Sequence, residues 1–355
     1  MVQPGGLGAC VVMLLLAVAS SGAGQERGPF SVGGVRARAG ESTSGFVEVP
    51  RGVDEGTKIP ITVVHGARPG PVLALIAGTH GYEYPPILAL QRLRRELAPG
   101  SLSGTVILVH VANLPSFLKR TIYYSPVDGK NLNRVYPGKP DGTQSERIAY
   151  VITREVIDRA DALADLHGGD GNEALRPYSY WMQSGNPKVD EASKGMVVAF
   201  GLDHIVIDTD RPRDPSASVY TANTAVLRGK PAITTETGRV GASDEESITL
   251  ALRGCWNLLR HLRMVEGAPA SPAPVVWLDK FEVLRSPVTG MFHAAVKEGN
   301  TVATGAVLGT LTDLFGGQVG EVRAPFGGIV NYVIATPPIS EGEPVAMVSH
   351  IASTP

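Results

Sequence analysis

Cysteine is nearly absent, with two residues in a chain of 355, Cys10 and Cys255. Cys10 lies in an N-terminal apolar segment. Cys255 shares a helically spaced apolar stripe with Ile248, Leu252, Leu259 and Leu262, so it reads as a buried core thiol. A disulfide framework is thereby excluded from the mature chain. An excess of charge of one sign is lacking too. The 32 Lys and Arg against 34 Asp and Glu leave no basic field for nucleic acid and no acidic tail. Nor is there a run long enough to span a bilayer as a helix. The longest, ACVVMLLLAVA at 9–19, has the length of a signal-peptide core. Small residues follow it, although no Lys or Arg precedes it. The expectation is a signal peptide over 1–25 and an exported, periplasmic protein.

Glycine and proline are plentiful, 42 and 27, and they punctuate apolar runs without clustering as in disordered chains. Strand-like runs recur at 61–66, 71–78, 105–112, 162–168, 204–210 and 231–238. Helical patterns lie at 86–97, 145–160 and 245–263. Apolar strands alternating with amphipathic helices predict an α/β domain with a mostly parallel sheet over 26–266. GAPASPAP (267–274) reads as a linker. From 275 to 355 the pattern becomes all-β. A degenerate repeat there, 286–302 and 324–345, suggests a small unit with pseudo-twofold symmetry.

IAGTHGYEYPP (76–86) places His80 and Glu83 at the exit of a strand. His167, in DLHGGD, and Glu236, in TTETG, also end strands, where ligands gather in sheets of this kind. Two histidines and a carboxylate are the usual protein ligands of a catalytic zinc, which keeps a fourth position for water. A nearby carboxylate must then relay protons, and Glu236 is the candidate. Each residue also has an ordinary alternative: a loop histidine, a strand-end histidine bonded to backbone, a helix-capping carboxylate. Asp165, two residues before His167, is either its hydrogen-bonded support or a structural group. His65, His110 and His204 read as structural.

Together, AGTHGYE, DGKNLNRVYPG, ADLHG and TTETG resemble the succinylglutamate desuccinylase/aspartoacylase family, a branch of the zinc-carboxypeptidase-like superfamily. The resemblance implies a zinc-carboxypeptidase-like α/β/α fold with a small C-terminal barrel-sandwich-like β domain. It implies one zinc ion on His80, Glu83 and His167, with Glu236 as general base and acid. It further implies Asn133 and Arg134 on a substrate carboxylate, and Arg120 polarising the scissile carbonyl. Tyr82, and Gly168-Gly169 after the second histidine, depart from the family pattern and bear on substrate identity. The tail resembles a biotinyl/lipoyl-type barrel. Its expected hairpin at 311–317 has no lysine, so it carries no such group.

The expectation is a zinc-dependent hydrolase that cleaves the amide of an N-acyl amino acid or another carboxylate-bearing small molecule. A metallocarboxypeptidase acting on peptides is the alternative, followed by a non-catalytic binding module. Self-association is left open.

Overall fold

The computed structural model describes residues 1–2, 27–270 and 274–353; the leader read over 1–25, with Cys10, lies almost wholly outside them. β1 (Phe30–Val32) and β2 (Val35–Ala37) form a hairpin. β3 (Glu41–Val49), β4 (Thr57–His65) and β5 (Arg68–Ala77) follow, then α1 (Tyr84–Glu96), β6 (Ser103–Val109), α2 (Leu114–Lys119) and α3 (Gln144–Glu155). β7 (Ala162–His167), β8 (Glu173–Leu175) and β9 (Tyr178–Met182) precede α4 (Pro187–Phe200), β10 (His204–Asp208) and α5 (Thr221–Val226). β11 (Ala232–Glu236) and α6 (Glu245–His261) complete this part.

β6, β5, β7 and β11 lie side by side and parallel, as the apolar runs predict. β9 is inserted antiparallel to β11 and parallel to β10. Alternation along β5 divides the core. Leu73, Leu75 and Ala77 face α1, α4 and α6, while Ala74 and Ile76 face α3, α5 and the β1–β2 hairpin. Between α4 and α6, the Phe200 ring fills the place where a Cβ on Gly254 would stand, 2.3 Å away.

β12 (Val276–Arg285) joins the two halves of the sheet. Its start pairs in parallel with β10, and the rest pairs antiparallel with the last strand. The strands after it are β13 (Gly290–Ala294), β14 (Thr301–Val302), β15 (Val307–Thr312) and β16 (Gln318–Arg323). β17 (Gly328–Ile334), β18 (Pro338–Ile339) and β19 (Pro344–Ile351) end the chain. β16, β15, β13 and β18 form a separate antiparallel sheet, whereas β12, β19, β17 and β14 extend the large one. β8 pairs with β17. The strands β9, β10, β12, β19, β17 and β8 therefore curl back on themselves around Tyr178, Val206, Leu278, Tyr332 and Met347. The expected hairpin is present between β15 and β16, with Leu314 and Phe315 exposed at its tip.

Candidate active site

α1 opens on Tyr84-Pro85-Pro86, with Glu83 at its N-cap position. Prolines carry no N–H, so this helix start has few donors left to cap. Ile87, Leu90 and Leu93 are buried, each contributing about 1.5–3 kcal/mol, more than the roughly 1 kcal/mol of a good cap. The Glu83 side chain makes no cap hydrogen bond and turns to two imidazoles instead.

His80 reaches this point because Gly78, at φ +70°, turns the chain out of β5 against Val111, leaving no room for a Cβ. His167 ends β7. Gly168 follows it with the Thr237 carbonyl 2.1 Å from where a Cβ would stand, so only glycine fits. This departure from the family pattern thus has a packing cause. Glu236 ends β11 directly beside His167 in the parallel register.

His80 Nδ1 lies 2.7 Å from Glu83 Oε1, and His167 Nδ1 lies 3.0 Å from Glu83 Oε2. One donor atom from each residue falls within 4.8 Å of the others. Glu83 is 3% exposed, and its Oε2 has no hydrogen-bond partner. The outer ring nitrogens are held as well. His80 Nε2 faces Asn131 Oδ1 at 3.2 Å, and His167 Nε2 lies 3.0 Å from Asp165 Oδ2. The latter is an electrostatic contact, since neither Asp165 oxygen receives an aimed hydrogen bond. Support of each ring through its second nitrogen is the usual arrangement around a metal.

The electrostatics favour a cation. Burial opposes ionisation of Glu83, but His167 and His80 hold it at about 2. Burial disfavours both imidazolium forms, yet Glu83 raises His80, and Asp165 with Glu83 raises His167 well above its ordinary value. Burial pushes Glu236 well above the carboxylate range, with Glu83, Glu173 and Asp165 adding to the push. Two convergent imidazoles, a buried carboxylate with an orphan oxygen and this surplus of negative potential fit a divalent metal.

The ligands open into a cavity of about 290 Å³. Asn133, Arg134 and Glu236 line it. Asn133 is fixed, its Oδ1 accepting from the Thr221 backbone N–H and hydroxyl at 2.9 and 3.0 Å, with its Nδ2 3.2 Å from His167 Nε2. Arg134 presents its guanidinium over the Tyr220 ring at 4.7 Å and has no carboxylate partner among the described residues. Arg120 does not line this cavity. It caps α2 in a left-handed conformation, is exposed, and is not part of the cavity wall. The further guanidinium groups of the cavity are Arg211, paired with Asp208 and 4.0 Å over Tyr220, and Arg285 from the end of β12.

Asn131, Glu173, Arg211, Tyr220, Arg285 and Tyr332 escaped the sequence reading. Only Asn131 carried a signal, two residues before Asn133 in the same motif. The C-terminal strands wall the cavity through Val283, Arg285, Tyr332 and Pro344.

Residues 69–262 match the model of the succinylglutamate desuccinylase/aspartoacylase catalytic domain. The chain belongs to this family. It is a metal-dependent deacylase of that family, with the zinc-carboxypeptidase-like α/β fold that the motifs imply. It is 31% identical over 322 residues to the N-alpha-acetyl-L-2,4-diaminobutyric acid deacetylase of Halomonas elongata, covering 87% of this chain and 92% of that protein. Among solved structures it is similar to the product-bound ectoine utilization protein EutE (DoeB) from Ruegeria pomeroyi. That match has 28% identity and a TM-score of 0.79 over 92% of this chain and 99% of that one. The succinylglutamate desuccinylase/aspartoacylase of Rhodobacter sphaeroides matches at 26% identity and a TM-score of 0.77, over 88% and 96%.

Proposed function

We propose that the protein is a zinc-dependent deacylase that hydrolyses the amide bond of small N-acyl amino acids. The observation that carries this reading is the meeting of His80, Glu83 and His167 with Glu236 in a cavity that also holds the unpaired Arg134. When bound by the three ligands, zinc supplies a Lewis acid for the acyl carbonyl and lowers the pKa of water toward neutrality. Glu236 takes the proton of the attacking water and delivers it to the leaving amine. Arg134 holds the α-carboxylate through its planar fork, and Asn133 keeps His167 in place beside it. Of the three guanidinium groups, Arg211 is already paired with Asp208, while Arg134 has no carboxylate partner and follows Asn133, which touches His167.

The cavity volume favours an N-acyl amino acid over the peptide of a carboxypeptidase, since about 290 Å³ is at the small end for ligand pockets. The relative from Halomonas elongata, named for an N-acetylated diamino acid, supports the same choice. Export belongs to this reading through the apolar segment at 9–19, and N-terminal sequencing of the protein from its host tests it.

The functional test offers the zinc-loaded protein N-acyl amino acids and unblocked peptides, with and without chelator. Chelator-sensitive release of amine from the N-acyl compounds alone is the expected result; release of C-terminal residues from peptides would replace this reading with a carboxypeptidase. Glu236→Gln should keep its metal and lose about a hundredfold or more in kcat. Undiminished turnover would remove Glu236 from its role.

A further inference from the structure

Glu173 lies in the cavity wall outside every motif of the sequence, and neither the metal nor the proton relay uses it. Its carboxylate accepts a hydrogen bond from the Tyr123 hydroxyl at 2.8 Å and one from the Asp170 backbone N–H at 3.2 Å. The Tyr123 ring stands edge-on to His80, with centroids 6.1 Å apart, so a single tyrosine separates Glu173 from a metal ligand. The backbone of Glu173 is pinned on three sides. Its N–H donates to the Asp170 carbonyl, its own carbonyl accepts from Val240, and it pairs with Ile334 in β17.

Two other carboxylates at or near the cavity have cationic partners. Glu83 has two histidines and Asp208 has Arg211. Glu236 stands beside the metal site as the proton relay. Glu173 has no Lys, Arg or His within salt-bridge distance among the described residues, and the nearby Arg239 turns its guanidinium to Glu298 at 3.1 Å. Burial, reinforced by Asp170, lifts Glu173 to about 7 against the hydrogen bond from Tyr123. A half-buried carboxylate with no cation is costly, and this one is held rigidly in the cavity wall.

We propose that Glu173 is the specificity-determining residue of this site and selects N-acyl amino acids whose side chain carries an ammonium group. This rests on the deacylase reading above. Arg134 takes the α-carboxylate, the acyl group lies at the metal, and the side-chain ammonium becomes the missing partner of Glu173. Arg211 does not repel such a substrate, because Asp208 neutralises it, and the charge of the exposed Arg285 is screened by solvent.

The test compares kcat/KM of the zinc-loaded enzyme for N-α-acetyl-2,4-diaminobutyrate, its neutral isostere N-acetylnorvaline, and N-acetylaspartate. The wild type should favour the cationic substrate about ten- to a hundredfold, as charge-assisted hydrogen bonds do. Glu173→Gln should abolish that preference and leave the neutral substrate essentially unchanged. Inhibition of the wild type by free 2,4-diaminobutyrate against norvaline gives the same comparison without a variant, and the diamine should bind more tightly. Equal loss on both substrates in Glu173→Gln, a wild-type preference for the neutral or acidic compound, or equal inhibition by the two products would overturn the assignment. Hydrolysis of N-acetylnorvaline without preference for the cation leaves the deacylase reading standing. Hydrolysis of none of the three removes both.

Discussion

Glu83 and His110 show how differently one polar side chain can be used. Glu83 forgoes its helix cap and joins two histidines. His110, half-buried, has a single partner, Thr62 Oγ1 at 2.8 Å, while its buried Nδ1 has none. Burial, with a smaller contribution from Arg94, drops the His110 pKa to about 4. The folded state thus holds a neutral ring down to that pH, whereas the unfolded chain takes up a proton below about 6.5. The resulting stability is intact above pH 6.5 and drains away as the pH falls toward 4. Allowing for solvent around part of the ring, the loss amounts to about 2 kcal/mol. Melting temperatures measured from pH 7 to 4 should fall less steeply in His110→Gln than in the wild type; parallel curves would show that the ring does not control acid sensitivity.

Among the elements, the loop carrying Asn131, Asn133 and Arg134 depends on a helix that never touches substrate. Asp128 Oδ2 accepts from the Ser145 backbone N–H and Oδ1 from the Ser145 hydroxyl, both at 2.8 Å, which docks the loop on the start of α3. Asp128→Ala should cost about 1–2 kcal/mol of stability. It should raise KM more than it lowers kcat, because Arg134 loses its support; steady-state kinetics and urea unfolding together check this. The sequence showed Asp128-Gly129 as a turn but not what the turn holds. Strands β5, β7 and β11 were legible as near-continuous apolar runs, and their ends placed all three metal ligands and Glu236. β9 and α4 were not. β9 is a short aromatic strand, and α4 has Gly195 in its middle and only a weak apolar stripe. Arg120 was placed by resemblance alone; it caps α2 in a left-handed conformation and is not among the residues lining the cavity. Glu173 had no pattern to betray it, since its position is set by pairing with Ile334, far along the chain.

For the molecule as a whole, the catalytic half and the C-terminal strands share one sheet through β12. A chain ending at residue 274 would uncover Val206 and Tyr178 and lose Leu278, Tyr332 and Met347. At about 1.5–3 kcal/mol for each apolar side chain, this rivals a typical folding stability of about 5–15 kcal/mol. The truncated chain should be insoluble and inactive; a soluble, metal-binding product would show that the halves are energetically independent. The shared strand also leaves no hinge at the cavity. Small ligands enter past Arg134 and Arg285, the exposed guanidinium groups of its wall, like grains through a mesh. The cavity volume of about 290 Å³ then limits what can settle beside the metal site. A change of diet for such an enzyme would have to come from side chains along the mesh, with its frame left as it is.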